Sequence, residues 1–365
     1  MSNKMNRKIT VAFLFFAAFL WMIGAIKTFA DDSEENMRHD KCTANNEEDD
    51  KCEELIRSLI ESVNDKDVDG YIDLFIPEEQ VRMKDYISCC GRDAFFLEKS
   101  RELLSIEIIE NYDFIDGIDE YDDEIVYRVK ENIFYTDRVE RATCNLVNGE
   151  NTHDYVLVKN KGEWAISRIS ATDRQFSLRS LSEPIEIFVY FFDPVNTAFY
   201  GTNTTAGVYF DDYVKDVLPN EWIISYYANY PAYSYAGAMA SKMYGWYYAV
   251  NPKHDYAPYY ACVFDTDSDQ IYRIGSYSGM AALYRGYEDS ILSYVSNKAL
   301  VSGATNNIFE IHYYQNSGSY HSGKLNAAGA LSLAQSGYTY SNILHYYYDC
   351  SPYIGSSNLA VITTY

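Results

Sequence analysis

Apolar positions recur along this chain in two rhythms, and the rhythm changes more than once. Leu55, Ile56, Leu59, Ile60 and Val63 fall at helical spacing and predict an amphipathic helix, with a second, shorter one at residues 68–75. After a loop and a third helix near 94–103, short alternating runs take over. They predict strands at 105–109, 124–129, 141–147, 153–159 and 164–169, with Asn148-Gly149 and Lys161-Gly162 as turn signals. Residues 180–184, Ser-Leu-Ser-Glu-Pro, read as a linker. Beyond it, residues 185–192, 259–265, 270–274 and 308–314 predict strands. Residues 211–218, 233–250, 326–335 and 341–347 predict helices, with Gly337 a natural stop for the third. Helices and antiparallel strands in separate runs make an α+β chain, expected in two parts, 51–175 and 184–365.

The stretch 208–250 is the most informative. Asp211 is a good N-cap, and Tyr213, Val214, Val217 and Leu218 continue helical spacing until Pro219, which is expected to end the helix. Asn220 and Glu221 then fall on a turn, directly before the apolar Trp222, Ile223 and Ile224. An acid at that edge is either a solvated loop glutamate or a sheltered one. The helix at 233–250 has a ridge of small side chains, Ser234, Ala238, Ser241 and Gly245, and a bulky one, Met239, Met243 and Trp246. The plain reading of that pattern is a core helix.

Three blocks in order, Leu-Pro-Asn-Glu-Trp at 218–222, Ala-Gly-Ala-Met-Ala-Ser-Lys-Met-Tyr-Gly-Trp-Tyr at 236–247 and the closing Gly-Tyr-Thr-Tyr-Ser-Asn-Ile-Leu-His-Tyr-Tyr-Tyr-Asp at 337–349, resemble the stage II sporulation protein D and amidase-enhancer family. The resemblance covers about half the chain. It implies a lytic transglycosylase acting on peptidoglycan, with Glu221 as the catalytic acid and Trp222, Lys242, Tyr244, His321 and Asn326 at the substrate. Such an acid protonates the glycosidic oxygen and then, as carboxylate, takes a proton from the sugar's own 6-hydroxyl, closing a 1,6-anhydro ring. Its pKa must be raised for the first step, and burial against Trp222 is the expected means. The chain departs from the family in places. Lys242 stands where an arginine is usual, Asn326-Ala327 where the family has Ser-Gln, and Phe264 and Asp269 where zinc-binding members carry cysteines. No zinc and no other cofactor is therefore expected. Asp265, Asp267 and Asp269 alternate as calcium ligands do, but read as a solvated turn. The alternative implied by the family's other branch is a non-catalytic wall-binding protein that stimulates an amidase. A purely structural surface protein is the third reading.

Helices followed by strands that close on Gly-Glu-Trp-Ala-Ile-Ser-Arg-Ile-Ser at 162–170 resemble the cone-shaped α+β fold of nuclear-transport-factor-like domains, in which a curved antiparallel sheet follows helices. That part is expected to be a spacer or self-association module, the other option being a ligand pocket.

Composition sharpens this picture. A formal charge of −23 disfavours nucleic acid and acidic lipid surfaces as partners. Lys4, Arg7 and Lys8, an apolar run over 9–26 and Thr28-Phe29-Ala30 read as a secretory signal peptide, 1–30. An uncleaved anchor is the alternative, and the only route to a membrane. Residues 31–50, rich in Asp, Glu and Asn, read as a disordered, self-repelling tether. The expected location is extracellular and wall-associated. Seven cysteines, an odd number without a Cys-x-x-Cys, give no assignable disulfide or zinc site. The 37 tyrosines crowd into the second part, where their rings suit the flat faces of sugars or simply fill strands.

Overall fold

The computed structural model describes residues 46–109, 123–136, 148–172, 182–314, 323–349, 351, 354 and 360–365. The leader at 1–30, most of the acidic tether, the strand expected at 141–147 and His321 lie outside them. Residues from Leu55 to Tyr365 form one compact unit, so the parts expected at 51–175 and 184–365 are, from Leu55 on, two parts of one body.

Helix α1 runs Asn46–Asp65. The end of the acidic stretch is thus helical and not tether, because acids in a first turn face the positive end of the helix dipole. Ile56, Leu59, Ile60 and Val63 form its buried stripe. Helix α2, Val68–Asp73, is capped by Asp67, whose carboxylate accepts the Gly70 N–H at 3.0 Å. Helix α3, Pro77–Cys90, takes the place of the expected loop. Proline suits a first helical turn, and Gly91 at φ 84° stops the helix. The helix expected near 94–103 is instead strand β1, Glu98–Ile108, where pairing with a neighbour overrides local propensity.

Strands β2, Asp123–Tyr135, β3, Gly149–Asn160, and β4, Glu163–Ala171, complete an antiparallel meander in the order β1-β2-β3-β4. Tyr155 of β3 sits opposite Tyr127 and Ile169, all three buried. Lys161 (φ 53°) and Gly162 (φ 88°) both take the left-handed backbone that a two-residue hairpin requires.

In the second part, β5, Glu186–Tyr190, pairs antiparallel with β6, Thr205–Tyr209, across helix α4, Pro194–Tyr200. Helix α5 spans Phe210–Glu221 and is followed by a 3-10 turn, Ile224–Ala228, and the long helix α6, Pro231–Val250. Pro219 does not end α5. It sits in the last turn, and the Trp222 N–H still reaches the Leu218 carbonyl at 2.9 Å, so Glu221 is the last helical residue and not part of a turn.

Then come β7, Val263–Phe264, parallel to β5, the one-turn α7, Ser276–Gly279, and α8, Ala282–Val295. Strands β8, Lys298–Ser302, β9, His312–Tyr314, and β10, Lys324–Asn326, precede α9, Ala327–Gln335, and α10, Tyr340–Tyr348, and β11, Ala360–Thr364, pairs back on β8. Helix α6 is buried on nearly every side and is touched by α5, α8, α9 and α10, as a helix apolar all round must be.

Residues 251–265 are buried although they form mostly loop. Their backbone groups are paired from both parts: Ala171 N–H donates to Pro252, Asp255 N–H to Ile169, and Cys262 N–H to Phe188. This strap joins the meander to the second part.

Candidate active site around Glu221

The position of Glu221 is set by the small ridge of α6. Trp222, 4% exposed, lays its indole over Gly237, where a Cβ would meet the ring at 2.4 Å. Its Nε1–H donates to Ser241 Oγ at 2.8 Å. One helical turn further on, Gly245 leaves room for the rings of Tyr213 and Phe210, both from α5. The ridge thus receives aromatic side chains rather than a second backbone, and they fix where α5 ends. Glu221 follows from that placement. It is half-buried, and its Oε1 accepts the Ile271 N–H at 2.6 Å, so the carboxylate is folded onto residues 270–272.

Gln270, next to that N–H, is fully buried and ties three elements together. Its Oε1 accepts the Tyr213 hydroxyl at 2.8 Å, and its amide donates to the Ser241 carbonyl at 3.1 Å and to Tyr313 Oη at 2.8 Å. Because these are side-chain bonds, residues 270–272 hold an irregular path and not the strand expected at 270–274. The ring of Tyr313 lies 5.5 Å from Trp222 and 6.1 Å from Tyr244. Burial, and then the Glu221 carboxylate, push the Tyr313 hydroxyl well above its usual range, so it stays protonated beside the acid. Gln270 and Tyr313 were legible only as members of the strands expected at 270–274 and 308–314, since one tyrosine among 37 carries no signal until β9 aims it.

Tyr244 itself faces a second polar nest. Asp269 binds the Lys253 ammonium at 2.5 Å and His254 Nε2 at 2.6 Å, and Lys253 also donates to Tyr244 Oη at 3.1 Å. Despite burial, Lys253 and His254 hold the Asp269 carboxyl far below the usual carboxylate range, while burial lowers His254 to about 4, leaving it neutral. Phe264 stacks on that imidazole at 3.5 Å. Phe264 and Asp269 hold the positions of the zinc cysteines in the family that the sequence resembles. A phenyl ring offers no ligand, and Asp269 is neutralised by a lysine, so the set does not fit zinc. Among the described residues no group of three or more His, Cys, Asp or Glu side chains is arranged to hold a metal. Asp265 is likewise not a solvated turn acid: buried, it accepts from the N–H groups of Phe192 and Asp193 and from the Asn196 amide.

Lys242 and Asn326, two more of the expected site residues, are engaged by other parts of the fold. Lys242 is 3% exposed. Its ammonium is taken up by the carbonyls of Val295, Ser296 and Lys298, the Tyr365 hydroxyl and the Glu183 carboxylate, which leaves no donor for a sugar. Asn326 is buried and caps α9, accepting the Gly329 N–H at 2.6 Å. Trp222 and Tyr244, by contrast, meet at Tyr313. No protein-family model matches the chain, and no curated protein matches it significantly. Among the described residues no helix is long and apolar enough to cross a membrane.

Proposed function

We propose that this is a secreted protein that acts on peptidoglycan glycan strands, with Glu221 as the single acid and base of a lytic transglycosylase. The observation that carries the reading is the hydrogen bond from Ile271 N–H to Glu221 Oε1 at 2.6 Å. It holds the acid of the Leu-Pro-Asn-Glu-Trp block, the first of the three on which the resemblance rests, while Trp222 of the same block is seated on the helix that carries the second. A backbone N–H steadies the carboxylate once the proton has been given up, and Trp222 and Tyr313 supply an aromatic wall that limits water around it. The half-buried acid gives a proton to the glycosidic oxygen, then removes one from the 6-hydroxyl as the anhydro ring closes. The meander and its helices act as a spacer between the leader and this site.

The test is incubation of purified protein with wall glycan, intact and stripped of stem peptides. Anhydro-muramic ends are expected by mass spectrometry and should vanish in Glu221→Gln. The inward-facing Lys242 and Asn326 favour the second reading, a wall-binding amidase enhancer. It predicts glycan retention that survives Glu221→Gln without any new ends, and faster amidase turnover on addition of the protein.

A further inference from the structure

Fifteen tyrosines are buried among the described residues, but six others form a connected surface. Tyr284, Tyr287 and Tyr294 lie on α8, Tyr227 on the 3-10 turn, Tyr235 on α6 and Tyr340 at the start of α10. Ring centroids run in sequence from Tyr284 to Tyr287 (6.2 Å), Tyr227 (5.4 Å), Tyr235 (5.9 Å), Tyr294 (3.9 Å, stacked) and Tyr340 (5.2 Å). Tyr284 is 40% and Tyr294 38% exposed, and the other four are half-buried, so edges and hydroxyls of a continuous aromatic row reach solvent. Four separate elements contribute to it, which local sequence alone would not arrange.

We infer that this tyrosine row is a binding surface for an uncharged polysaccharide strand, lying apart from Glu221. Sugar C–H groups pack against the exposed ring edges, and the phenolic hydroxyls offer donors and acceptors to sugar hydroxyls. Charge decides among occupants. Burial pushes Tyr235 and Tyr340 up to about 12, so these two hydroxyls carry no negative charge near neutrality. A cation at its edge, Lys298, is engaged by the row itself, 3.4 Å from the Tyr294 ring centre and donating to the Tyr294 carbonyl at 2.6 Å. A nucleic-acid strand, which also stacks on aromatics, needs cations for its phosphates and is repelled by a chain of charge −23, and so is a second copy of the chain.

The row is separate from the acid by helix geometry. Tyr235 and Gly237, which carries Trp222, stand about 200° apart around α6. Binding here is therefore independent of whether Glu221 cleaves anything.

The probe is the soluble N-acetylglucosamine hexamer, titrated calorimetrically into the full chain. Wild type and Glu221→Gln are expected to bind alike. Tyr284→Ala with Tyr294→Ala is expected to weaken binding about tenfold, and Tyr284→Ala alone about threefold, at an unchanged melting temperature for the exposed single variant. Loss of cleavage in Glu221→Gln with intact binding leaves the row in place. Absence of hexamer binding by wild type, equal binding by the Ala variants, tighter binding of a ten-residue polyproline peptide, or dimerisation abolished by the Ala variants would each overturn it.

Discussion

Two carboxylates show how differently the same group is treated. Glu221 keeps a backbone N–H and partial contact with solvent, which an acid that gives and takes a proton needs. Glu288, on α8, is fully buried, and neither of its oxygens has a hydrogen-bond partner. Burial, then the nearby Asp216 and Asp289, push it up to about 8, so it is largely neutral at physiological pH. The sign follows from linkage. The unfolded carboxyl ionises near its ordinary 4.5 and the folded one near 8, so stability is fully present below the first value and falls as pH rises through the second. Glu288→Gln should leave the melting temperature unchanged near pH 4 and raise stability by ~2 kcal/mol at neutral pH. Thermal melts across pH would show this as a flattened alkaline limb, and parallel curves for the two proteins would count against it. Asp269 has the opposite sign. Its carboxyl is held low, so its stabilising effect is present at neutral pH and is lost on acidification. Asp269→Asn, leaving the buried Lys253 without its anion, should cost about 3 kcal/mol in denaturant melts, and a loss under ~1 kcal/mol would show the nest to be solvated.

Among the elements, α6 was legible from its ridges, and what it holds was not. Small residues at i, i+4, i+7 and i+11 predict close approach, but whether a backbone or a ring approaches depends on α5, whose end the sequence misjudged at Pro219. A proline penalises its own missing N–H, not the turn after it, and the Trp222 N–H kept the helix going. Gly237 is the decisive position. Gly237→Ala puts a methyl into the Trp222 ring and should destabilise by about 1–3 kcal/mol despite alanine's better helix propensity. Retained stability in a chemical melt would mean that the indole is not seated there. The first half of strand β1 and the whole of helix α8 were missed for different reasons. The core-facing polar side chains of β1, Glu98 and Arg101, look solvent-facing in sequence. Helix α8 alternates tyrosines with charged residues, and only Ile291 and Val295 mark its core side.

On the scale of the whole molecule, the α+β class and most helices of the second part were readable, and the joining of its two parts was not. That joint is a buried ionic cluster. Arg101 pairs with Glu98 at 2.6 Å and with Glu131 at 3.3 Å, and His153 lies 2.9 Å from Glu131 and 3.3 Å from Asp255 of the strap, while the Tyr260 hydroxyl donates to Glu98. No local pattern announces partners so far apart in sequence. Burial would lower His153, but hydrogen bonds to Asp255 and Glu131 outweigh it and raise its pKa. Its contribution is therefore present below the ordinary imidazole value and fades as pH rises through the raised one. Asp255→Asn should cost about 3 kcal/mol at slightly acid pH and less at alkaline pH, where His153 is neutral in both proteins. Equal losses at both ends would remove His153 from the account.

On the proposed reading, the half-sheltered Glu221 breaks a glycan strand that the separate tyrosine row grips. Ring closure by the sugar's own hydroxyl distinguishes that chemistry from hydrolysis most directly. Digestion of peptide-free wall glycan in water enriched in heavy oxygen should give fragments one water lighter than hydrolysis products and free of the label, with none formed by Glu221→Gln. Labelled reducing ends, or unlabelled anhydro ends formed equally well by Glu221→Gln, would contradict it.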